Sequence, residues 1–575
     1  MEPPTEEDVG IAQFASAAPG FDGILKQRYS DFIVNEISLS GQVQAELNVS
    51  SFDKMQRTAV HQFLRRPSLP QLESNTVAHE DGSTVITLFH RPPKQRSNKK
   101  RKQPESGAPA APWPGSGHAD TRAPWAHGSA LRYCRFVMLK ENLDTPAALA
   151  ILQRTLRCGK GTLAVAGNKD KRGITCQHVT ACRVEAERLA AANVHLRNLQ
   201  LGDFEYVPDA MRLGMLRGNR FEITLRALSG ASPGAVAEAA ETLRARGFIN
   251  YFGLQRFGSG CSSTHRTGAL LLRGEWREAV RAIMAGRASE RPEAAEARRA
   301  YLDRGDVHAA LAGLHRGAVA ERAILESLRK GGKAGAKNFL GALLAVPRNS
   351  RIMFVHAVQS YLWNCAASHR AREYGLDGAV AGDLVLEGGD DPAGAGDVLD
   401  EDASACGDET EPMEADSLPQ ALRQALKAHV VTAVEAAARR YSIVRVVLPL
   451  PGADVVYPEH ATAQVYVQAA AHLGVDMEAA PHAQRDFSLA GAPGGYRRLL
   501  HRPADLAFRL LQYSDPDQCL AATDLDKLRG TAPPPVSVLG PGEQPMKSAL
   551  LALQLVFSLP PSTYATMLGM AELPV

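Results

Sequence analysis

Two segments of this 575-residue chain cannot belong to a packed core, and they fix what the rest must fold into. Residues 91–128 are dominated by Pro, Gly, Ser, Ala and basic side chains, with the run Lys99-Lys100-Arg101-Lys102 near their start. Residues 387–419 hold 12 acidic side chains and neither Lys nor Arg. Neither has enough apolar surface to offset the entropy of ordering it. Both read as flexible insertions, the second within a surface loop. The remaining 504 residues are ample for a core without disulfides or metal, and they read as two domains.

The same division changes the meaning of the charge. The whole chain carries +3, a balance that by itself argues against a nucleic-acid partner. The first insertion contributes +6 and the second −12, so the body between them carries +9. A body of that sign suits a polyanion and binds it in a salt-dependent way. Residues 99–102 fit a solvated charge run as readily as a nuclear-import or RNA-contacting one; the import reading points to a nuclear or cytoplasmic protein. The acidic start MEPPTEEDVG has no apolar region of a secretory signal, and no apolar stretch approaches the roughly 18 residues of a membrane span. The eight cysteines form no CxxC and sit beside no His pair at ligand spacing, so they read as reduced thiols, with no structural zinc. No internal repeat of 20–50 residues is present.

Hydropathy patterning mixes two periods. Residues 31–37, 83–89 and 220–228 alternate apolar and polar, as half-buried strands do; VRVVLPL (444–450) reads as a buried strand. Residues 145–157 and 233–247 read as helices, the second ending at Gly247, a residue suited to the position after a helix. From residue 260 onward the pattern turns helical, over 266–288, 307–330 and 350–374. Strands and helices mix without the strict alternation of a doubly wound sheet, so the expected fold class is α+β.

Nucleotide and hydrolase signatures are missing: GxxxxGK[ST], GxSxG and HExxH do not occur, and Gly258-Ser259-Gly260 lacks a third glycine. The densest chemistry lies in AVAGNKDKRGITCQH, residues 164–178. An apolar strand reaches Gly167, a charged loop displays Asn168 to Arg172, and alternation resumes with Thr175 and Gln177. Asp170 stands there among Lys169, Lys171 and Arg172. Such a carboxylate suits attack on, or proton removal from, the sugar of a polyanion, with the bases holding phosphates; the spacing fits a turn with a local ion pair equally well. In LRGNRFEITLR (216–226), Asn219 and Phe221 lie two apart on a strand and share a face. An amide and a ring so placed suit a flipped base, as they also suit a turn and a core. GFINYFGLQRFGSG (247–260) fits a turn between domains, and HAVQSYLWN (356–364) has helical, core-like spacing.

Taken in order, these segments resemble the TruD family of pseudouridine synthases. GILKQRYSDFIVNEI (23–37), with Asp31, Phe32 and Glu36, resembles the family's N-terminal motif, and AGNKDKRGITCQ (166–177) its catalytic motif, with Asn168 where Thr or Gln is usual. GNRF, NYFGLQRFG, QSYLWN, VVLPLPG and FSLPPSTYAT follow in family order. The likeness covers nearly all of the chain outside the two insertions, and the stretch PLPGADVVYPEH (449–460) resembles eukaryotic members. It implies isomerisation of uridine to pseudouridine in RNA, without cofactor or metal: in tRNA, at position 13 in bacterial members, and in further RNAs such as mRNA. Asp170 would be the catalytic carboxylate, acting on ribose C1′ or on the C2′ proton. Lys26 and Lys169 match active-site lysines, and Asn219 with Phe221 the family's N-x-F pair, as substrate-binding groups.

The fold implied is a mixed-sheet catalytic domain, residues 1–246, interrupted by a more helical TRUD domain at 247–500 and completed by 501–575. No membrane and no obligate protein partner are expected. A catalytically silent RNA-binding relative is the alternative, which an intact Asp170 disfavours. One departure stands at the end, where the family continues into an Arg-Glu pair and this chain has Met570 and Ala571.

Overall fold

The computed structural model describes residues 4–565, except 40–46, 49–71, 79–83, 91–130, 387–427 and several shorter stretches. The basic run 99–102, the acidic segment 387–419, and Met570 with Ala571 lie outside the described residues.

A ten-stranded mixed sheet organises the fold. Its strands are labelled in chain order: β1 (Asp22–Leu25), β2 (Phe32–Ile37), β3 (Tyr133–Glu141), β4 (Leu163–Val165), β5 (Ile174–Cys182), β6 (Leu199–Val207), β7 (Gly218–Ser229), β8 (Ala504–Tyr513), β9 (Ser537–Val538) and β10 (Leu550–Leu559). The spatial order is β9-β8-β10-β7-β2-β5-β3-β6, with β1 beside β7 and β4 beside β5. β2 and β5 run parallel, Val34 opposite Thr175, within otherwise antiparallel pairing. The sheet therefore joins residues from both ends of the chain: β10 pairs with β7, Phe557 opposite Phe221. This is the α+β class that the mixed periods imply.

Local chemistry sets the elements. β3 alternates strictly, burying Cys134, Phe136 and Met138 against Ala148 and Leu152 of the helix Thr145–Thr155. That helix starts where the Asp144 carboxylate accepts from the Ala147 amide at 2.7 Å, with Pro146 in its first turn. Helix Pro233–Arg246 uses Ser232 in the same way, its hydroxyl accepting from Ala235 N at 3.2 Å. It ends at Gly247, whose φ of +81° suits glycine and where a Cβ would lie 2.2 Å from the His501 carbonyl. The helical readings of 266–288 and 307–330 each resolve into two helices, Thr264–Leu272 with Trp276–Met284, and Val307–Gly313 with Val319–Lys330. Gly274, at φ +76°, turns the chain within the first. These helices enclose an apolar core of their own, including Leu271, Val280, Ile324, Leu325 and Leu343.

The long helix Arg348–Tyr374 connects that bundle to the sheet. Its Trp363 and Leu362 pack into the cluster that contains Phe32, Phe221 and Phe557. Asn364, fully buried, donates to the carbonyls of Val9 at 3.0 Å and Phe252 at 3.0 Å and accepts from Phe252 N at 2.9 Å. Ser368 donates to the Gly10 carbonyl at 2.7 Å and accepts from Ala12 N at 3.1 Å. The N-terminal segment is thereby strapped to this helix, with Val9 and Ile11 buried beneath it. Asn364→Ala leaves buried groups of the strap and of the Phe252 loop unpaired, at about 1–3 kcal/mol each. The expected result is a destabilisation of about 3 kcal/mol, read as a lower urea midpoint at unchanged slope.

Candidate active site

The loop from Ala166 to Gly173 joins β4 to β5 and crosses the end of β2. Its exit is close-packed: a Cβ on Gly173 would lie 2.5 Å from the Phe32 carbonyl. Its entry is held by a buried relay. The Lys169 amide donates to Thr145 Oγ1 at 3.0 Å, Thr145 donates to Gln177 Oε1 at 2.8 Å, and Gln177 Nε2 donates to the Gly167 carbonyl at 3.0 Å. Arg172 Nε donates to the Lys26 carbonyl at 2.8 Å, so this loop and the one after β1 clamp each other.

Asp170 projects from this loop with about a third of its side chain exposed (33%), and its Oδ2 meets Lys26 Nζ at 2.8 Å. Lys26 adopts φ +57°, a left-handed conformation uncommon outside glycine, which neighbouring contacts must impose. Its ammonium lies 3.7 Å from the centre of the Phe32 ring. Phe32 meets Phe221 edge-on at 6.2 Å, and Phe221 stacks on Phe557 at 5.4 Å. An aromatic row over β2, β7 and β10 thus leads to the Lys26–Asp170 pair.

Lys169 takes a different direction. Its Nζ pairs with Glu36 Oε2 at 2.8 Å, and side-chain exposures of 4% and 1% put both out of reach of a phosphate. Glu36 Oε1 also accepts from His178 N at 3.2 Å. Burial alone would push the Glu36 carboxyl up, but Lys169 and His178 outweigh it and hold the group below its ordinary range. Burial pushes the Cys176 thiol up, so it stays protonated and is no nucleophile.

The β2–β7 register sets Asn219 opposite Glu36 and Phe221 opposite Val34, so both expected recognition residues share the face of Phe32 and Glu36. Asn219 Oδ1 is shielded from solvent and has no hydrogen-bond partner among the described residues. Phe221 is 7% exposed, packed against Phe32 and Phe557. Its ring therefore supports Phe32 here and presents no open face to a base.

Two groups that the motifs do not mark complete the site. Arg226, fully buried, grips both oxygens of Asp31 through Nε and Nη2 at 2.7–2.9 Å. Lys140, fully buried, donates to the carbonyls of Lys169 and Asp170 beneath the loop. The signal for Lys140 was present: it occupies the inward phase of Cys134, Phe136 and Met138, where a cation needs a dedicated set of acceptors.

Among the described residues no group of three metal-binding side chains occurs, and no helix is long and apolar enough to cross a membrane. Six described cysteines are free.

The chain is similar over most of its length to known proteins. The family model described as tRNA pseudouridine synthase D (TruD) matches residues 119–570. The pseudouridylate synthase 7 homologues of Mus musculus and Homo sapiens are each 33% identical over 98% of this chain and 80% of their own length. The multisubstrate pseudouridine synthase 7 of Schizosaccharomyces pombe is 34% identical over 90% of this chain and 70% of its own. A crystal structure from Methanosarcina mazei, assigned to tRNA pseudouridine synthase D, covers 100% of this chain and shares its fold at a TM-score of 0.57 and 21% identity. The mixed sheet is thus that of a pseudouridine synthase, an isomerase of uridine in RNA. Within that class, the chain belongs to the TruD family.

The Glu36 carboxyl, held below its ordinary value near 4.5, contributes stability that is complete above that value and is lost as pH falls through the folded value. Glu36→Gln strands the buried Lys169 charge and should cost about 3–5 kcal/mol at neutral pH. The gap to wild type should narrow once pH drops below 4.5, as urea melts across pH will show.

Proposed function

We propose that Asp170 is the catalytic carboxylate of this synthase, acting on the ribose of a uridine turned out of its stack. The observation that carries the reading is the Asp170–Lys26 pair at 2.8 Å, partly exposed at the tip of a loop clamped from both ends. The reaction breaks the C1′–N1 bond, turns the uracil and forms the C1′–C5 bond, and the C5 proton leaves for solvent while N1 gains one. Every heavy atom of the product comes from the substrate, so the residues required are those that position and those that carry charge. Asp170 either bonds to C1′, leaving as the C–C bond forms, or removes the C2′ proton and returns it.

The other residues divide the remaining tasks. Lys26 holds the carboxylate in place and offers it a counter-charge seated over the Phe32 ring. Lys169 acts at one remove by fixing Glu36, and so the β2 end of the loop. Exposed Lys171 and Arg172 stand next to the carboxylate where phosphates of the flanking nucleotides would lie. The Asn219 amide oxygen suits the N3–H of a flipped uracil, and the buried Phe221 steadies Phe32 under Lys26. We infer tRNA as a substrate, with position 13 the first uridine to examine, and further RNAs including mRNA as candidates; the names of the family and of the multisubstrate relative of Schizosaccharomyces pombe support that breadth. The basic run 99–102 supports a nuclear pool.

Asp170→Asn keeps the shape of the side chain and removes its charge. It should lower single-turnover pseudouridine formation by about 1,000-fold or more with RNA affinity little changed. Full activity in that variant overturns the assignment. Pseudouridine mapping of tRNA and mRNA from cells with and without the protein identifies the targets; wild type that binds but modifies neither pool refutes the enzymatic reading. Deleting 94–102 should shift the protein toward the cytoplasm, scored by fractionation.

A further inference from the structure

Lys140 closes the inward face of β3, and its surroundings account for every proton on its ammonium. Nζ donates to the carbonyls of Leu143 at 2.7 Å, Lys169 at 3.1 Å and Asp170 at 2.9 Å. The Lys169 and Asp170 carbonyls belong to the two peptide groups that flank the Asp170 Cα. Pinning both planes fixes φ and ψ of Asp170, and with them the direction of its Cβ. The Leu143 carbonyl ties the same nitrogen to the turn that leads into the Asp144-capped helix, whose Thr145 holds the Lys169 amide. One cation thus gathers both sides of the catalytic residue and the start of the helix beneath it.

We propose that Lys140 is a positioning residue: its ammonium, acting through three carbonyls, sets the Asp170 backbone so that the carboxylate reaches the ribose. The inference rests on Asp170 being the catalytic group. Charge is essential to it, because a neutral amine has two N–H groups for three carbonyls, and the peptide released is one that orients Asp170 or one that anchors the turn. Simple filling of space would not need an ammonium; an apolar side chain in phase with Met138 packs there at lower desolvation cost.

The charges facing Lys140 come from three directions. Asp170 and Asp144 favour the ammonium, Lys169 opposes it, and the Cys176 thiol on β5 lies alongside. Burial is the largest effect and brings the group down to about 8. The sign separates a positioning role from a structural one. A lysine whose folded value lies below its unfolded value makes folding more favourable as pH rises through that interval. The ammonium, and with it the third carbonyl contact, is lost over the same interval. Catalysis should therefore decline on the alkaline side while this lysine makes no demand that stability decline with it.

The test uses the full chain and an RNA that the wild type modifies. Single-turnover rate, RNA affinity and thermal midpoint are measured from about pH 6.5 to about pH 9.5 for wild type, Lys140→Met and Lys140→Arg. The wild-type rate should fall about tenfold by about pH 9 while its midpoint changes little; above that, buried thiols such as Cys134 and Cys176, which burial keeps protonated, lower the midpoint on their own. Lys140→Met should lose about 100-fold in rate at neutral pH, with affinity within about threefold, and should lack the alkaline decline. Lys140→Arg, which keeps its charge at all these values, should recover about tenfold of that loss and give a flatter profile.

A wild-type rate that stays level to about pH 9.5, a Met variant within about threefold of wild type, or a parallel fall of rate, affinity and midpoint in the variants overturns the proposal. Where neither variant folds, the divergence of wild-type rate and midpoint decides it alone. An inactive wild type defeats the catalytic reading and this inference with it; an active wild type with an unimpaired Met variant defeats this inference only.

Discussion

The buried grip of Arg226 on Asp31 is the contact on which the geometry of the site depends. Arg226 belongs to β7, Asp31 closes the turn that leads into β2, and the same guanidinium donates to the carbonyls of Pro516 at 3.3 Å and Gln518 at 2.9 Å. Asp31 in turn accepts from the Arg28 amide at 2.7 Å. One ion pair thereby fixes the loop that carries Lys26, the strand that carries Asn219 and Phe221, and the chain returning from the helical region. Its worth is positional. Two charges without solvent gain little net stability over an apolar pair, but loss of either partner leaves an uncompensated charge in the core. An exchange to apolar side chains would let the fold survive while releasing Lys26 from its register with Asp170.

Around Asp170 three lysines of the same chemistry have separate tasks because they differ in depth and in partner. Lys26, the least buried of the three and in a left-handed backbone conformation, meets the carboxylate itself. Lys169, one residue from it, points inward to Glu36. Lys140, deeper still, meets only carbonyls among the bonds described for it. Moving inward, the cation's partner passes from the loop carboxylate to the strand beneath it and then to the backbone that bears it. A rigid loop demands this, because a carboxylate at its tip inherits every displacement of the peptide planes below.

Much of this was legible in the sequence, for reasons that can be stated. Strands 31–37 and 220–228 alternate in sequence, yet β2 is buried on both faces and β7 through its middle, so alternation marked the strands without their depth; helices 145–155 and 233–246 announce themselves by Asp144 or Ser232 before a proline. Asp170 stood out because a lone acid among bases is chemically unusual. The direction of Lys169 was hidden, since its partner Glu36 is distant in sequence and meets it only through the parallel β2–β5 pairing. The packing of Phe221 was hidden likewise: its neighbour Phe557 comes from the far end of the chain, and alternation along one strand says which face a ring is on, never what covers it. The breaks within 266–288 and 307–330 fell below the resolution of helical periodicity, which persists across a short turn.

The long helix Arg348–Tyr374 shows how residues remote from chemistry shape the site. Asn364 binds the N-terminal strap and the Phe252 loop with one amide, Gln359 donates to the Pro451 carbonyl at 2.6 Å, and Trp363 donates to the Leu448 carbonyl at 3.3 Å. Arg497, next to the strand Val446–Leu450, donates to Asn250 and lies 4.1 Å from the Phe252 ring. The motifs NYFG, QSYLWN and VVLPLPG, separated by long stretches of chain, thus meet on one helix face. NYFG and VVLPLPG supply the backbone groups that the QSYLWN side chains satisfy. Buried polar contacts of this kind have few alternative arrangements, whereas an apolar seam of the same area slides more readily. These three motifs therefore fix how the helix Arg348–Tyr374 sits against the strand Val446–Leu450 and the Phe252 loop.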